Sequence, residues 1–274
     1  MSKVIIGIHG LANKPPEKTL AEWWEQAMLE GLQKNAGITL DSLNFHSVYW
    51  ADAMYATPDQ DPDAYHEAED GALKRYDDGW LDIVRAKASS INGKMWDSAK
   101  GLFGIDKIAD KVLEKKLQDL HKYYTDSELR EELRKRLKTV ILDNRGDRIM
   151  LVAHSMGTII AYDVLRQLGK EDPNIKIDHF VTIGSPLGLP HVKYKISEES
   201  PLVRTPNIVK KWTNLADRRD PVAIDTHLAD DYDSNEDGVK VRDDLVINDW
   251  GKINHKSYGY LRTPEFTDLL KKSV

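Results

Sequence analysis

Ser155 sits in Ala153-His154-Ser155-Met156-Gly157, directly after the apolar run Ile149 to Val152 and directly before Thr158-Ile159-Ile160-Ala161. A buried strand, a small-x-Ser-x-Gly turn and a helix-like apolar pattern, in that order, are the setting of a nucleophile elbow. The turn is so sharp that only small residues two positions to either side let strand and helix approach, a demand met by Ala153 and Gly157. The serine Oγ then stands clear of the chain, beside the first free N–H groups of a new helix, that of Met156 foremost. His9-Gly10-Leu11 ends another apolar run, and Gly10 lets the backbone turn so that the Leu11 N–H can point into the same site. Two such N–H groups, of Leu11 and Met156, would make an oxyanion hole. Asp220, before Pro221-Val222, supplies an acid and His255 a base. Asp217 is the rival acid, because either carboxylate could reach a histidine from that loop. Ser155, Asp220 and His255 follow the chain order nucleophile, acid, base. The His154 side chain is expected to point away from Oγ and to pack, so it is not assigned as the base.

These residues need a scaffold, and the hydropathy pattern supplies one. Val4 to Ile8 reads as a strand buried on both faces. Thr19 to Lys34 carries Leu20, Trp23, Trp24, Ala27, Met28 and Leu32 at a helical period, with Thr19 and Glu22 as a capping box. Leu43 to Trp50 reads as the next strand. Strand, helix, strand is the rhythm of a parallel sheet. From Pro58 to Arg145 no convincing strand occurs. Asp61 to Lys87 is acidic and helix-like, and Ile105 to Leu120 forms an amphipathic stripe. Thr125 and Glu128 offer a second capping box, for a helix through Leu129, Leu133, Leu137 and Ile141. Between the middle helices, glycines flank Met95-Trp96 and Leu102-Phe103, which suits a lid edge touching an apolar substrate, or a small core of the cap itself. After the elbow helix, Ile175 to Ile183 reads as a strand closing on Ser185, a turn expected to line the site floor. Residues 187 to 206 hold three prolines and read as a long loop. Asn207 to Leu215 is the next strand, Val239-Lys240-Val241 with Leu245-Val246-Ile247 a hairpin, and Pro264 to Lys272 a closing helix.

Composition excludes several classes. A net charge of -6 and a pI near 5.9 leave no electrostatic footprint for nucleic acid. The absence of cysteine removes disulfides, thiolate metal sites and cysteine nucleophiles. Asp233, Asn235 and Asp237 fit the start of a calcium loop, with Asp244 at its twelfth position, but no helices flank it and an acidic surface turn is the favoured reading. No metal or organic cofactor is required by the serine chemistry. The apolar opening is too short for a signal peptide or a membrane span, so a soluble, cytoplasmic protein is expected.

The pentapeptide around Ser155, the His9-Gly10 turn, Asp220-Pro221-Val222, and His255 with Tyr258 three residues on resemble the α/β-hydrolase superfamily, in its serine esterase and lipase branch. The strandless middle reads as a helical cap, residues 58–125, inserted before the elbow strand and splitting a core, residues 1–57 and 126–274. The resemblance implies that this core has an α/β-hydrolase fold, a mostly parallel sheet flanked by helices. It implies a serine hydrolase cleaving small-molecule carboxylic esters through an acyl-enzyme, a carboxylesterase or lipase-like enzyme whose substrate carries an apolar acyl group. An amidase or peptidase would use the same triad. A hydrolase-fold binding or scaffold protein with little turnover is the reading from a different class. Two features depart from the family: no antiparallel strands precede the first parallel strand, and the cap precedes the elbow strand. Oligomeric state is not legible here.

Overall fold

The computed structural model describes residues 2–77, 119–200, 202–223, 225–251 and 254–274. Six strands form one parallel sheet: β1 (Lys3–Ile8), β2 (Phe45–Val48), β3 (Arg148–His154), β4 (His179–Ile183), β5 (Trp212–Ala216) and β6 (Val241–Leu245). Their spatial order is β2-β1-β3-β4-β5-β6. The helices are α1 (Glu17–Ala36), α2 (Ser127–Asp143), α3 (Met156–Glu171), α4 (Pro190–Glu199), α5 (Ser257–Leu261) and α6 (Pro264–Leu270). This is the α/β-hydrolase fold, with helices on both faces of the sheet.

The continuous apolar strands follow from that layering. Val4, Ile6 and Ile8 of β1 face the core under α2, α3 and α4, together with Ile149, Leu151 and Ala153 of β3. Ile5, Met150 and Val152 face the opposite core, under α1, α5 and α6. The register aligns the carboxyl ends: Ile8 pairs with Ala153, His154 with Ile183, Ile183 with Leu215 and Ala216 with Leu245. Loops leaving these strands therefore gather along one edge of the sheet. The chain moves outward from β1 to β2 and then returns past β1 to β3. The crevice above β1 and β3 is thus a topological switch point, where ligands of open α/β sheets bind.

Several elements differ from the sequence reading. Helix α1 begins at Glu17 behind Pro16, so Thr19 lies within the first turn and caps nothing. Asp126, not Thr125, caps α2 by accepting the Leu129 N–H at 3.0 Å, while the Thr125 hydroxyl donates to the His121 carbonyl behind it. Residues 187–206 are not one long loop, because Pro190 opens α4 at a position needing no N–H partner, and Val192 and Ile196 bury one stripe of it. Asn207 to Lys210 is a turn closed by the Val209 N–H on the Pro206 carbonyl, so β5 starts only at Trp212. The expected hairpin is the single strand β6. Val239 folds back on Asn235, whose side-chain oxygen accepts the Asp237 and Val239 N–H groups, leaving 241–245 to pair with β5.

Residues 58–77 contain no helix or strand. They form a strap whose backbone donors are met by buried carboxylates: the Ala68 N–H by Glu30 at 2.7 Å and the Tyr76 N–H by Glu265 at 2.8 Å. With those partners, and with Pro58, Pro62 and Gly71 interrupting it, the acidic stretch from Asp61 does not become the expected helix over its described part. The rest of that stretch, the Met95-Trp96 and Leu102-Phe103 segment, and the amphipathic stripe up to residue 118 lie outside the described residues. Residues 119–125 are helical. No helix among the described residues is long and apolar enough to cross a membrane.

Candidate active site

Ser155 joins β3 to α3 with φ 53° and ψ -129°, a left-handed-side conformation that a residue with a side chain adopts only under compulsion. Its N–H donates to the Ile183 carbonyl at 3.1 Å, and its carbonyl accepts the Thr158 N–H at 2.9 Å and hydroxyl at 2.6 Å. Close approach makes two glycines necessary. A Cβ on Gly157 would lie 2.6 Å from the His9 carbonyl oxygen and 2.8 Å from that of Ile8. A Cβ on Gly10 would lie 2.5 Å from the Ser155 Cβ. The end of β1 and the elbow are therefore pressed together as the sequence pattern demands. The Ser155 side chain is 1% exposed.

His255 reaches Ser155 from the loop that follows β6. Its Nε2 lies 3.0 Å from Ser155 Oγ, and its Nδ1 lies 2.9 and 2.7 Å from the two carboxylate oxygens of Asp220. Asp220 Oδ1 also accepts the Val222 N–H at 2.8 Å. Burial opposes ionisation of Asp220, but the facing His255, with its charge and hydrogen bond, and the Val222 N–H together hold its carboxyl below the usual range. The other acid does different work: Asp217 pairs with Arg219 at 2.6 Å and accepts the Asn248 N–H at 2.7 Å. That fixes the root of the loop carrying His255. Asn254, at φ 52°, adds a bond to the Asn248 carbonyl at 2.6 Å. His154 turns away from Oγ, its Nε2 donating to the His255 carbonyl at 2.8 Å.

The turn after β1 is set by side chains that sequence reasoning did not single out. His9 Nε2 accepts the Trp50 N–H at 3.0 Å, so the ring proton sits on Nδ1, which donates to the Gly10 carbonyl at 2.9 Å. Burial, and then the charge of Lys14, push the His9 pKa well below 6.5, so the ring is neutral and this tautomer holds. In a trans peptide the N–H opposes the C=O, so the Leu11 N–H is aimed away from His9. The Lys14 ammonium donates to the carbonyls of Leu11 and Ala12, and Ala12 is held at φ 71°. Met156 opens α3 and is fully buried. Nothing in the local sequence could have shown the Trp50 or Lys14 contacts.

A cavity of about 360 Å³ adjoins these residues, bordered by Leu11, Lys14, Trp23, His154, Trp250 and His255. Tyr258 forms part of its wall, edge-on to Trp23 and Trp250, rather than joining the polar set. Ser185 is buried, its hydroxyl bonded to that of Thr158 at 2.9 Å and accepting the Leu187 N–H, so it does not line the cavity floor as expected. A larger depression of about 670 Å³, beside β6 and α6, shares no residue with this cavity. Among the described residues no group of three histidine, aspartate or glutamate side chains is arranged to hold a metal ion.

Comparison with known proteins agrees at the level of fold. The family described as "Alpha/beta hydrolase of unknown function (DUF900)" matches residues 106–202, about a third of the chain. That span contains the elbow but neither Asp220, His255 nor the turn after β1. No curated protein matches the chain significantly. A crystal structure from Xanthomonas campestris pv. campestris, of a candidate hydrolase of the alpha/beta superfamily, aligns with 98% of this chain and 99% of its own. At 13% identity and a TM-score of 0.37 that likeness carries no argument. The strand order and the matched segment agree on one conclusion: the chain is an α/β-hydrolase in fold, similar over residues 106–202 to a hydrolase family of unknown function.

Proposed function

We propose that the protein hydrolyses carboxylic esters through an acyl-enzyme on Ser155, with His255 as base, Asp220 as the acid that orients it, and the N–H groups of Leu11 and Met156 as the oxyanion hole. The observation that carries this reading is the unbroken set of contacts from Ser155 Oγ to His255 Nε2 at 3.0 Å and from His255 Nδ1 to Asp220 Oδ2 at 2.7 Å.

His255 takes the Oγ proton as Ser155 attacks the ester carbonyl. The carbonyl oxygen becomes an anion held by the two N–H groups, and losing one such donor typically raises the barrier by ~3 kcal/mol. The intermediate collapses, and His255 hands its proton to the departing alkoxide. Water, deprotonated by His255, then attacks the acyl carbon and Ser155 regains its proton. Asp220, held ionised, stabilises the imidazolium at both stages. The substrate is a small ester with an apolar portion, because Leu11, Trp23 and Trp250 border the cavity beside His255. Of the segment expected as a cap, Asp59, Pro62 and Asp63 border this cavity.

The test is a series of p-nitrophenyl esters set beside matching p-nitroanilides. The wild type should cleave the esters and spare the anilides. Ser155→Ala and His255→Ala should each lose roughly 10³–10⁶-fold in kcat, and Asp220→Asn about 10⁴-fold. Anilide turnover that depends on Ser155 would make the protein an amidase. The second reading, a binding module with little turnover, is favoured by the 1% exposure of Ser155 and predicts no ester cleavage at any chain length.

A further inference from the structure

Tyr260 lies in α5, five residues past His255, and is completely buried. Its hydroxyl lies 2.7 Å from Asp220 Oδ2 and 3.1 Å from the Asp217 backbone nitrogen. A phenol carries one proton. Since the Asp217 N–H arrives as a donor, the direction of the other bond is forced, and the Tyr260 hydroxyl donates to the carboxylate. Burial, and then the charge of Asp220, push the phenol far above its ordinary value, so the donor stays protonated.

The bond falls on a particular atom. Val222 and Ala223 N–H groups approach Asp220 Oδ1, at 2.8 and 3.4 Å. Tyr260 instead meets Oδ2, the oxygen nearer to His255 Nδ1 at 2.7 Å. The charged and titratable groups around the phenol are Asp220, His255, Asp217 with its partner Arg219, and His154, whose ring centre is 6.4 Å away. Asp249 acts on the same Arg219. Among the described residues no cation bonds Asp220 Oδ2 except His255 when it is charged, so a neutral donor is what tempers that oxygen.

The geometry points to Tyr260 as a positioning residue for the base: its hydroxyl fixes the plane of the Asp220 carboxylate and withdraws charge from the oxygen that faces His255. This rests on reading Ser155, His255 and Asp220 as nucleophile, base and acid. A less basic Oδ2 stabilises the imidazolium less, so His255 remains a neutral base to lower pH. Removing the hydroxyl reverses that: the imidazolium gains, and the neutral base is lost at a higher pH.

Tyr260→Phe keeps the ring and deletes only the oxygen. The Asp217 N–H loses its acceptor as well, so some loss of melting temperature is expected and is not the readout. The readouts are the acid limb of kcat/KM against pH, with a p-nitrophenyl ester, and the low-field proton resonance of the His255 Nδ1–H, titrated without substrate. The expected result is a limb moved up by about one pH unit. With it, kcat should fall several-fold at pH 6 and return to within about twofold at pH 8.5, with KM unchanged and the resonance titrating at the same raised pH. A structural role alone would lower kcat equally at every pH. If the wild type turns over ester and Tyr260→Phe moves neither limb nor resonance, the role of Tyr260 is refuted while the site stands. If the wild type cleaves nothing, the site reading fails, and the substrate-free titration alone decides whether Tyr260 tunes His255.

Discussion

His154 and His255 lie side by side with ring centres 4.8 Å apart, yet their nitrogens serve different ends. His255 Nε2 meets Ser155 Oγ, whereas His154 Nε2 donates to the His255 backbone carbonyl. The second bond can be reproduced by a glutamine amide. His154→Gln should therefore keep ester turnover within a few-fold of wild type, whereas His154→Phe leaves a buried carbonyl unpaired at a cost of about 1–3 kcal/mol. A His154→Gln loss as deep as that of His255→Ala would reverse the two assignments. Gly157→Ala probes the elbow from the other side. Its new Cβ would press on the His9 and Ile8 carbonyl oxygens, backbone atoms that cannot move without disturbing β1, so about 1–3 kcal/mol of stability should be lost in denaturant melts. An unchanged midpoint would mean that the elbow is looser than these contacts require. At this scale Ser155, Gly157 and Gly10 were legible because the elbow and the strand ends are local patterns, whereas Asp220 and His255 were named from their order in the chain after Ser155. Tyr260 and Lys14 were not legible. Each acts through space on an atom far away or on a bare carbonyl, and neither contact leaves a spacing in the chain.

The helices are tied by buried charge as well as by apolar contact. Arg134 of α2 meets Asp163 of α3 at 2.7 Å, Tyr123 of the 119–125 stretch at 3.1 Å and Glu199 of α4 at 3.1 Å. Burial pushes the Asp163 carboxyl up, and the Arg134 guanidinium pulls it back. Arg134→Met strands that carboxylate and should cost about 3–5 kcal/mol, read by urea melts. Adding Asp163→Asn should return part of the loss; if the double variant is no better than the single, packing rather than charge accounts for the cluster. β1 and β3 were legible as continuous apolar runs that end in turn residues, and α3 by its helical apolar pattern. α4 and β6 were not. A proline suits a helix's first turn as well as a loop, and five residues of parallel strand look like half of a hairpin until β5 is beside them.

The sheet as a whole brings the switch-point crevice and the loops of β5 and β6 to one edge, and it also encloses groups that resist protonation. Burial, then the charges of Lys211, Arg242 and Lys272, lower His179 to about 4. His9 lies well below 6.5 for the reasons given above. The unfolded chain takes up these protons near pH 6.5 and the folded chain does not, so stability is full above that pH. It declines as pH falls through the window from about 6.5 to 4. Melting temperature should drop accordingly between pH 7.5 and 4.5, and His179→Gln should flatten the slope. An identical slope in that variant would show that His179 contributes nothing to the acid limb. The net charge of -6 indicates an ordinary globular surface but says nothing of which loops meet above β1 and β3, which only the register reveals.

The central claim is that Ser155 is an activated nucleophile. Its most direct test is reaction of the purified protein with a fluorophosphonate probe, the adduct located by peptide mass spectrometry with Ser155→Ala as control. Stoichiometric labelling at Ser155, lost in that variant and strongly slowed in His255→Ala, is the predicted result. A folded protein that stays unlabelled, or carries the probe on another residue, would contradict it.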